Sequence, residues 1–253
     1  MSDFEERVKK LAEMIENSSS TVFFGGAGVS TESGIPDFRS KDGLYNQHDV
    51  RFDDYQPEYL LSVDCLTDHP DVFYEFYRQK LNIEGIEPNK AHYALAELEK
   101  EGKLSAVITQ NIDGLHQKAG SKEVYEVHGT TMRNYCMRCG RQKPYDYIFK
   151  SKAPVPKCEC GGQIRPDVTL YGEMLPEEAW SKSDDVLASA ELFIVGGTSL
   201  TVYPASGLVG RFRGGNLVII NRDLTNYDNR ASLLFRENIG EVFDAVLKCM
   251  KAE

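Results

Sequence analysis

Two short cysteine pairs, Cys136-x2-Cys139 and Cys158-x-Cys160, stand eighteen residues apart and oblige the chain to close a loop on itself. Two such pairs are how a tetrahedral thiolate metal site is assembled. Zinc is the expected occupant, and because four thiolates leave it no open position, it would fold the loop rather than do chemistry. Glycines follow the pairs at Gly140 and Gly161-Gly162, where tight turns aim backbone N–H groups at the sulfurs and spread their charge. The second pair has one spacer residue where two are commoner, which tightens its turn. Two disulfides or four free thiols are the other readings. Cys65 and Cys249 stand outside the pattern. No secretory leader is recognisable, so a reduced, cytoplasmic setting is expected, in which disulfides are rare.

The rest of the chain alternates short apolar runs with amphipathic stretches. Ser2 followed by Glu5 forms a capping box, and Phe4, Val8, Leu11 and Ile15 recur at helical spacing, predicting a helix that ends near Asn17. Thr21 to Phe24 reads as a buried strand running straight into glycines. An irregular polar segment, about 30 to 57, and an aromatic helical stretch, Phe73 to Leu81, come next. A helix from Ala91 to Glu101 precedes a strand from Ala106 to Thr109, and a strand from Val124 to Val127 delivers His128. Strands at 192–196 and 217–220 flank a helix near 204–213, and Ile239 to Met250 reads as a closing amphipathic helix. Strands separated by helices predict an α/β fold with a doubly wound parallel sheet. Segments 38–85 and 129–168 break the alternation and are read as insertions forming a smaller second lobe. That leaves 1–37, 86–128 and 169–253 for the large domain.

Composition narrows the function. No apolar run approaches the ~20 residues of a membrane span, so no membrane association is expected. The formal charge of −10 repels nucleic-acid phosphates at long range and argues against direct nucleic-acid binding. An acidic surface suits a basic peptide better.

The polar and glycine residues gather at strand ends. A strand running into Gly25-Gly26-Ala27-Gly28 is a phosphate cradle, since small residues let backbone N–H groups approach a pyrophosphate. Thr31 stands where the dinucleotide fingerprint would carry its last glycine, so a plain strand-to-helix turn is the competing reading. Gly196-Gly197-Thr198-Ser199 and Asn221 end two further strands. In open parallel sheets ligands sit outside the carboxyl ends of the strands, and there too fall Thr109 to His116 and His128-Gly129.

The ordered stretches Gly25 to Ser40, Thr109 to Gly120, His128-Gly129, the cysteine loop, Arg165 to Pro176, Gly197 to Ala205 and Asn221 resemble the motif series of the sirtuins, NAD-dependent protein lysine deacylases, in their compact bacterial form. The resemblance runs over nearly the whole chain and implies a Rossmann-like large domain, with a small lobe made of a helical insertion and a zinc module. It implies that NAD is consumed as co-substrate: nicotinamide leaves, the acyl oxygen attacks the ribose, and the acyl group ends on ADP-ribose. By the same resemblance Gly26, Ala27, Gly28, Thr31, Phe38, Arg39, Gln110, Asn111, Ile112, Asp113, His128, Gly197, Thr198, Ser199, Asn221, Arg222 and Ile239 would surround NAD. Thr169, Tyr171, Gly172 and Val202 would line the acyl-lysine peptide, and Cys136, Cys139, Cys158 and Cys160 would hold zinc.

Chemistry suits these roles. His128 takes up a proton near neutral pH and is the candidate general base, with His116 its competitor. Asp113 can accept from the nicotinamide carboxamide while Ile112 forms an apolar wall. Gln110 and Asn111 suit ribose hydroxyls and an ordered water, Phe38 can cap the reacting ribose, and Arg39 can pair with a phosphate. Acetylated lysine peptides are the expected partner. A mono-ADP-ribosyltransferase and a non-catalytic NAD sensor are the alternatives.

Three departures from the family pattern stand out. Gly25 replaces a common threonine, and Tyr171 replaces a frequent phenylalanine in the acyl-lysine wall. Counting back from Pro88-Asn89-x-Ala91-His92, the Tyr-x-x-Arg pair of desuccinylases falls on Tyr74 and Tyr77, without the arginine, which favours a neutral acyl group.

Overall fold

Thr21 to Phe24 has no polar side to turn to water, and the strand it forms is buried along its whole length. The computed structural model, which describes residues 2–40 and 42–252, pairs that strand on both edges. The strands are β1 (Thr21–Gly25), β2 (Ala106–Thr109), β3 (Val124–Glu126), β4 (Gly129–Cys136), β5 (Gln142–Pro144), β6 (Ile164–Val168), β7 (Leu192–Gly196), β8 (Asn216–Ile220) and β9 (Leu233–Phe235). Six of them form one sheet in the order β3-β2-β1-β7-β8-β9, every neighbouring pair parallel. The order runs outward in both directions from the β1–β7 junction, and a ligand crevice opens at such a reversal.

Helices cover both faces. The helices of the chain are α1 (Asp3–Asn17), α2 (Pro57–Leu60), α3 (Val63–Asp68), α4 (Pro70–Lys80), α5 (Lys90–Lys100), α6 (Leu115–Ala119), α7 (Asp146–Lys150), α8 (Glu177–Ala188), α9 (Leu208–Arg211) and α10 (Ile239–Lys251), of which α2, α3, α4 and α7 lie away from this sheet. Ser2 and Glu5 form the expected capping box at the start of α1. Successive strand residues point to opposite faces. Phe23, Val107, Ile194 and Val218 therefore meet α1, α5 and α10 in one core, while Phe24, Ile108, Phe193, Val195 and Ile219 meet α8 and α9 in another.

A third core belongs to the two segments that broke the alternation. Leu44, Phe52, Leu66, Phe73, Tyr74 and Tyr77 pack with Cys136, Ile148, Cys158, Ile164 and Leu170. Three antiparallel strands, in the order β5-β4-β6, back this core.

Some elements differ from the pattern-based reading. The expected helix near 204–213 is a 3₁₀ turn, Ala205–Gly207, followed by the four-residue α9, because Gly207 and Gly210 weaken a longer helix. α8 gave little apolar signal, since only Ser183 and Leu187 along it are buried, and three-residue β9 is too short to announce itself. Among the described residues no helix is long and apolar enough to cross a membrane.

The structure explains Gly25. Gly25 and Gly196 are register partners, and the buried ring of Phe23 lies beneath both. A Cβ at Gly25 would stand 2.7 Å from Phe23 Cε1, and one at Gly196 would stand 3.0 Å from Phe23 Cε2. The phenyl ring occupies the space that a β-branched residue at position 25 would need. Gly25→Thr should therefore cost about 1–3 kcal/mol by overpacking. Phe23→Val should relieve that clash, leaving the double variant at least about 1 kcal/mol more stable than the two single losses predict. Urea unfolding of the four proteins measures this coupling, and strict additivity would refute it.

The candidate active-site crevice

Parallel strands put all their carboxyl ends on one edge of the sheet, and the glycine turns after β1 and β7 are packed against each other there. Gly28 N–H donates to the Gly197 carbonyl at 2.8 Å, and Gly26 N–H donates to that of Gly196 at 3.2 Å. A Cβ on Gly28 would fall 2.7 Å from Gly197 Cα, and one on Gly26 would fall 2.7 Å from Thr198 Cβ. Gly197 itself sits at φ +60°, in the left-handed region that favours glycine. Ala27 opens a 3₁₀ turn, Ala27–Val29, and Thr31 Oγ1 closes the next turn by donating to the Gly28 carbonyl at 3.0 Å.

The turn after β2 is wired into this cradle. Gln110 N–H donates to the Gly25 carbonyl at 2.9 Å, and its Oε1 accepts from Thr198 Oγ1 at 3.3 Å. Its Nε2 is buried without a protein partner. Asn111 Nδ2 donates to Ser30 Oγ at 3.0 Å, and Ser30 Oγ donates to Asp113 Oδ2 at 2.7 Å. Asp113 Oδ1 accepts from Leu115 N–H at 2.9 Å. Burial pushes the Asp113 pKa up, against the Ser30 and Leu115 hydrogen bonds that favour the carboxylate. The sequence reading named Asn111 and Asp113 but passed over the buried Ser30 that joins them. Its only signal was a hydroxyl two residues beyond Gly28. Ile112 rests against the third core, and its carbonyl accepts from both Thr131 N–H at 2.8 Å and Thr131 Oγ1 at 2.9 Å.

His128 stands where the parallel sheet hands the chain to the antiparallel one. Val127 N–H donates to the Thr109 carbonyl at 3.0 Å, while Gly129 pairs with Val168 across β4 and β6. The His128 ring lies with Nδ1 3.0 Å from the Gln110 carbonyl. A carbonyl can only accept, so Nδ1 carries the proton and Nε2 of the neutral ring keeps its lone pair. Burial lowers the pKa, the Gln110 carbonyl opposes that, and the Arg39 charge adds to the lowering. The His128 carbonyl accepts from Thr169 N–H at 2.9 Å, bringing the segment that follows β6 alongside.

His116 is separated from this chemistry. It is 1% exposed and packs its ring 4.7 Å from that of His92, inside the layer between α5 and α6. Burial, and then the neighbouring His92, lowers its pKa well below the usual histidine value. A sealed imidazole cannot meet a substrate.

The remaining predicted residues divide between crevice and core. Arg39 and Tyr171 meet, with Arg39 Nη2 donating to Tyr171 Oη at 2.8 Å. Phe38 packs its ring 5.4 Å from that of Tyr45. Gly172 has φ +93° beside Val63. Ser199 shares a hydrogen bond with Thr201 at 2.8 Å, and Val202 is half-buried at the start of the turn into α9. Asn221 N–H donates to the Phe235 carbonyl at 3.0 Å, and Arg222 is exposed. Ile239 is 5% exposed in the first core, its side chain lying beside Gly196.

Tyr74 and Tyr77 belong to the core of the smaller lobe. Both are fully buried in the third core. Tyr74 Oη donates to the Ile164 carbonyl at 2.5 Å, and Tyr77 stacks on Phe73 and Phe149. The next residue, Arg78, gives its guanidinium to the carbonyls of Ile148, Ala153 and Pro154. The aromatic face of α4 is therefore small-lobe core, as its run of large apolar side chains suggests.

The four cysteines converge. Their sulfurs all lie within 4.8 Å of one another, with Cys136–Cys160 at 3.5 Å and Cys139–Cys158 at 3.8 Å. Four sulfurs about 2.3 Å from a tetrahedral zinc stand roughly 3.8 Å apart, so the donor set fits that ion. Arg138 N–H lies 3.4 Å from Cys136 Sγ. Although burial opposes it, hydrogen bonds from the Cys139 and Arg138 backbone hold the Cys136 thiol down to about 6, toward the thiolate a metal requires. A Cβ on Gly162 would stand 2.6 Å from Cys136 Sγ, so the turn closes only on glycine.

Comparison with known proteins agrees with this geometry. The sequence profile of the Sir2 family matches residues 26–204. An NAD-dependent protein deacetylase of Clostridium acetobutylicum is 50% identical over 243 residues, covering 96% of this chain and 98% of that one. Another, of Cutibacterium acnes, is 51% identical over the same shares. A solved structure of Sir2 with a p53 peptide and NAD+ superimposes with a TM-score of 0.84 at 38% identity, covering 97% of this chain and 99% of that one. Sir2 bound to acetylated peptide gives 0.84 at 37% identity over 95% and 97% of the two chains. With the profile spanning more than half of its length and relatives matching end to end, the chain belongs to the Sir2 family.

Proposed function

We propose that this chain is an NAD-dependent protein lysine deacetylase, moving the acetyl group of acetyl-lysine onto ADP-ribose with release of nicotinamide and O-acetyl-ADP-ribose. The observation that carries the reading is His128, whose Nδ1 proton is committed to the Gln110 carbonyl while its own carbonyl grips Thr169. A base with a free Nε2 thereby stands between the nucleotide edge of the sheet and the segment assigned to peptide. The names carried by relatives about 50% identical along nearly the whole chain support the same reaction.

NAD, when bound, supplies the ribose acceptor and the leaving nicotinamide. The chain's residues do the rest. The turns at Gly26-Ala27-Gly28 and Gly197-Thr198-Ser199 take the phosphates, with Thr31, Asn221 and Arg222 at the margins. Asp113, oriented by Ser30 and Leu115, accepts from the carboxamide, and Ile112 walls that pocket. Gln110 and Asn111 hold hydroxyls and an ordered water. Phe38 excludes solvent from the reacting face, Arg39 pairs with a phosphate, and His128 Nε2 takes the ribose hydroxyl proton. Thr169, Tyr171, Gly172 and Val202 line the acyl-lysine path. The cysteines hold a structural zinc, which requires reduced thiols and fits a cytoplasmic setting. Acetylated peptides are the partner, and the −10 charge disfavours nucleic acid.

Nicotinamide release assayed with and without acetylated peptide tests the reaction. Release that needs the peptide and yields acetylated ADP-ribose is expected, whereas label from adenine-labelled NAD remaining on protein would identify an ADP-ribosyltransferase. His128→Ala should keep NAD binding and lose about 10²–10⁴-fold in deacetylation. Near-normal turnover in that variant would move the base elsewhere. The pH profile follows from the lowered His128 pKa: the ring is the base only while neutral, so kcat/KM should be lost as pH falls through a value below the ordinary ~6.5. An acid limb centred at or above ~6.5 would contradict this.

Cys136→Ala or Cys158→Ala should release the metal and unfold the third core, abolishing activity indirectly. Purified protein without near-stoichiometric zinc by metal analysis, or chelation that leaves melting and rate unchanged, would overturn the zinc assignment.

A further inference from the structure

Tyr171 departs from the family's usual phenylalanine by one oxygen atom, and that oxygen is in use. It accepts from Arg39 Nη2 at 2.8 Å and from Tyr45 Oη at 3.3 Å, while the Arg39 guanidinium lies 5.5 Å above the Tyr45 ring. Both ends of the Arg39–Tyr171 contact are anchored. Tyr171 N–H donates to the Leu61 carbonyl at 3.0 Å, and the Tyr171 carbonyl accepts from Val63 N–H at 3.0 Å, stitching the residue to the start of α3. The Arg165–Glu173 pair pins the same segment from its other side, with Arg165 Nη2 also donating to the Val168 carbonyl at 2.9 Å and Glu173 Oε2 also accepting from Leu170 N–H at 2.9 Å. On the other end, Asp37 Oδ1 accepts from Arg39 N–H at 2.9 Å and Ser40 N–H at 2.7 Å. Asn46 Nδ2 donates to the Arg39 carbonyl at 3.1 Å. Among the described residues, Nη2 is the only part of the guanidinium that is hydrogen-bonded, which leaves Nε and Nη1 with their donors unspent.

We propose that Tyr171 is a positioning residue for NAD: its hydroxyl holds Arg39 by Nη2 and leaves Nε and Nη1 free for a pyrophosphate, so that a residue of the acyl-lysine wall sets part of the affinity for the nucleotide. An arginine on an exposed loop loses much rotamer freedom when it meets a phosphate, and a fixed hydroxyl removes part of that loss beforehand. A phenylalanine at 171 offers the same ring without the hold. The inference rests on the NAD-dependent reading given above.

The test is NAD affinity by calorimetry without peptide, on wild type, Tyr171→Phe, Arg39→Ala and the double variant. Tyr171→Phe should weaken NAD binding about 5- to 10-fold, within the net range of one ordinary hydrogen bond. In the Arg39→Ala background the same change should have less than about twofold effect, because its beneficiary is gone. In turnover the loss should appear in KM for NAD more than in kcat. A Tyr171→Phe protein binding NAD within twofold of wild type overturns the proposal, as does an undiminished effect in the absence of Arg39. Wild type that binds NAD but releases no acetyl group would sink the deacetylase reading alone, since the affinity cycle would still decide the role of Tyr171.

Discussion

The crevice depends on the contact between two glycine turns. β1 and β7 are register partners to their last residues, Gly25 and Gly196, and the turns that leave them are so close that Gly28 and Gly197 exclude a methyl group from one another. Everything at the carboxyl edge takes its position from that closure. Gln110 is bonded to the Gly25 carbonyl and to Thr198, His128 is oriented by Gln110, and Thr169 is held by His128. Five segments of the chain thus form one hydrogen-bonded series, in which each partner is backbone or a side chain at least half-buried.

A second series orders the acidic end. Ser30 accepts from Asn111 and donates to Asp113, so a single hydroxyl fixes the amide orientation of one residue and the carboxylate orientation of the other. A hydroxyl has one proton to give. With that proton on Asp113, the Asn111 amide must present NH2 to Ser30 and leave its carbonyl oxygen toward the crevice. Burial raises the Asp113 pKa while the Ser30 and Leu115 donors oppose it.

Much of this was legible in the sequence, and the reasons are specific. Buried parallel strands read as unbroken apolar runs, so β1, β2, β7 and β8 announced themselves, and the polar residues just beyond them marked the crevice edge. The cysteine spacing foretold a four-sulfur cluster. The aromatic stretch of α4 was legible as core, and Tyr74 and Tyr77 lie in it. Other features stayed hidden. Ser30 was invisible because a lone serine carries no periodicity, and α8 because its buried face is two residues wide.

The position of His128 has a mechanical consequence. The chain passes from the last parallel bond, Val127 to Thr109, to the first antiparallel pair, Gly129 with Val168, with a single residue between them. Gly129 adopts φ +73°, and the space a Cβ would need there is taken by the Asp167 carbonyl. The imidazole is thus borne on a taut span shared by two sheets, with no slack in which to swing. The segment around Phe38 and Arg39 is held differently, by Leu44 N–H on the Asp37 carbonyl and Tyr45 N–H on the Phe38 carbonyl and by the Arg39–Tyr171 hydrogen bond. The imidazole is the fixed landmark of the crevice.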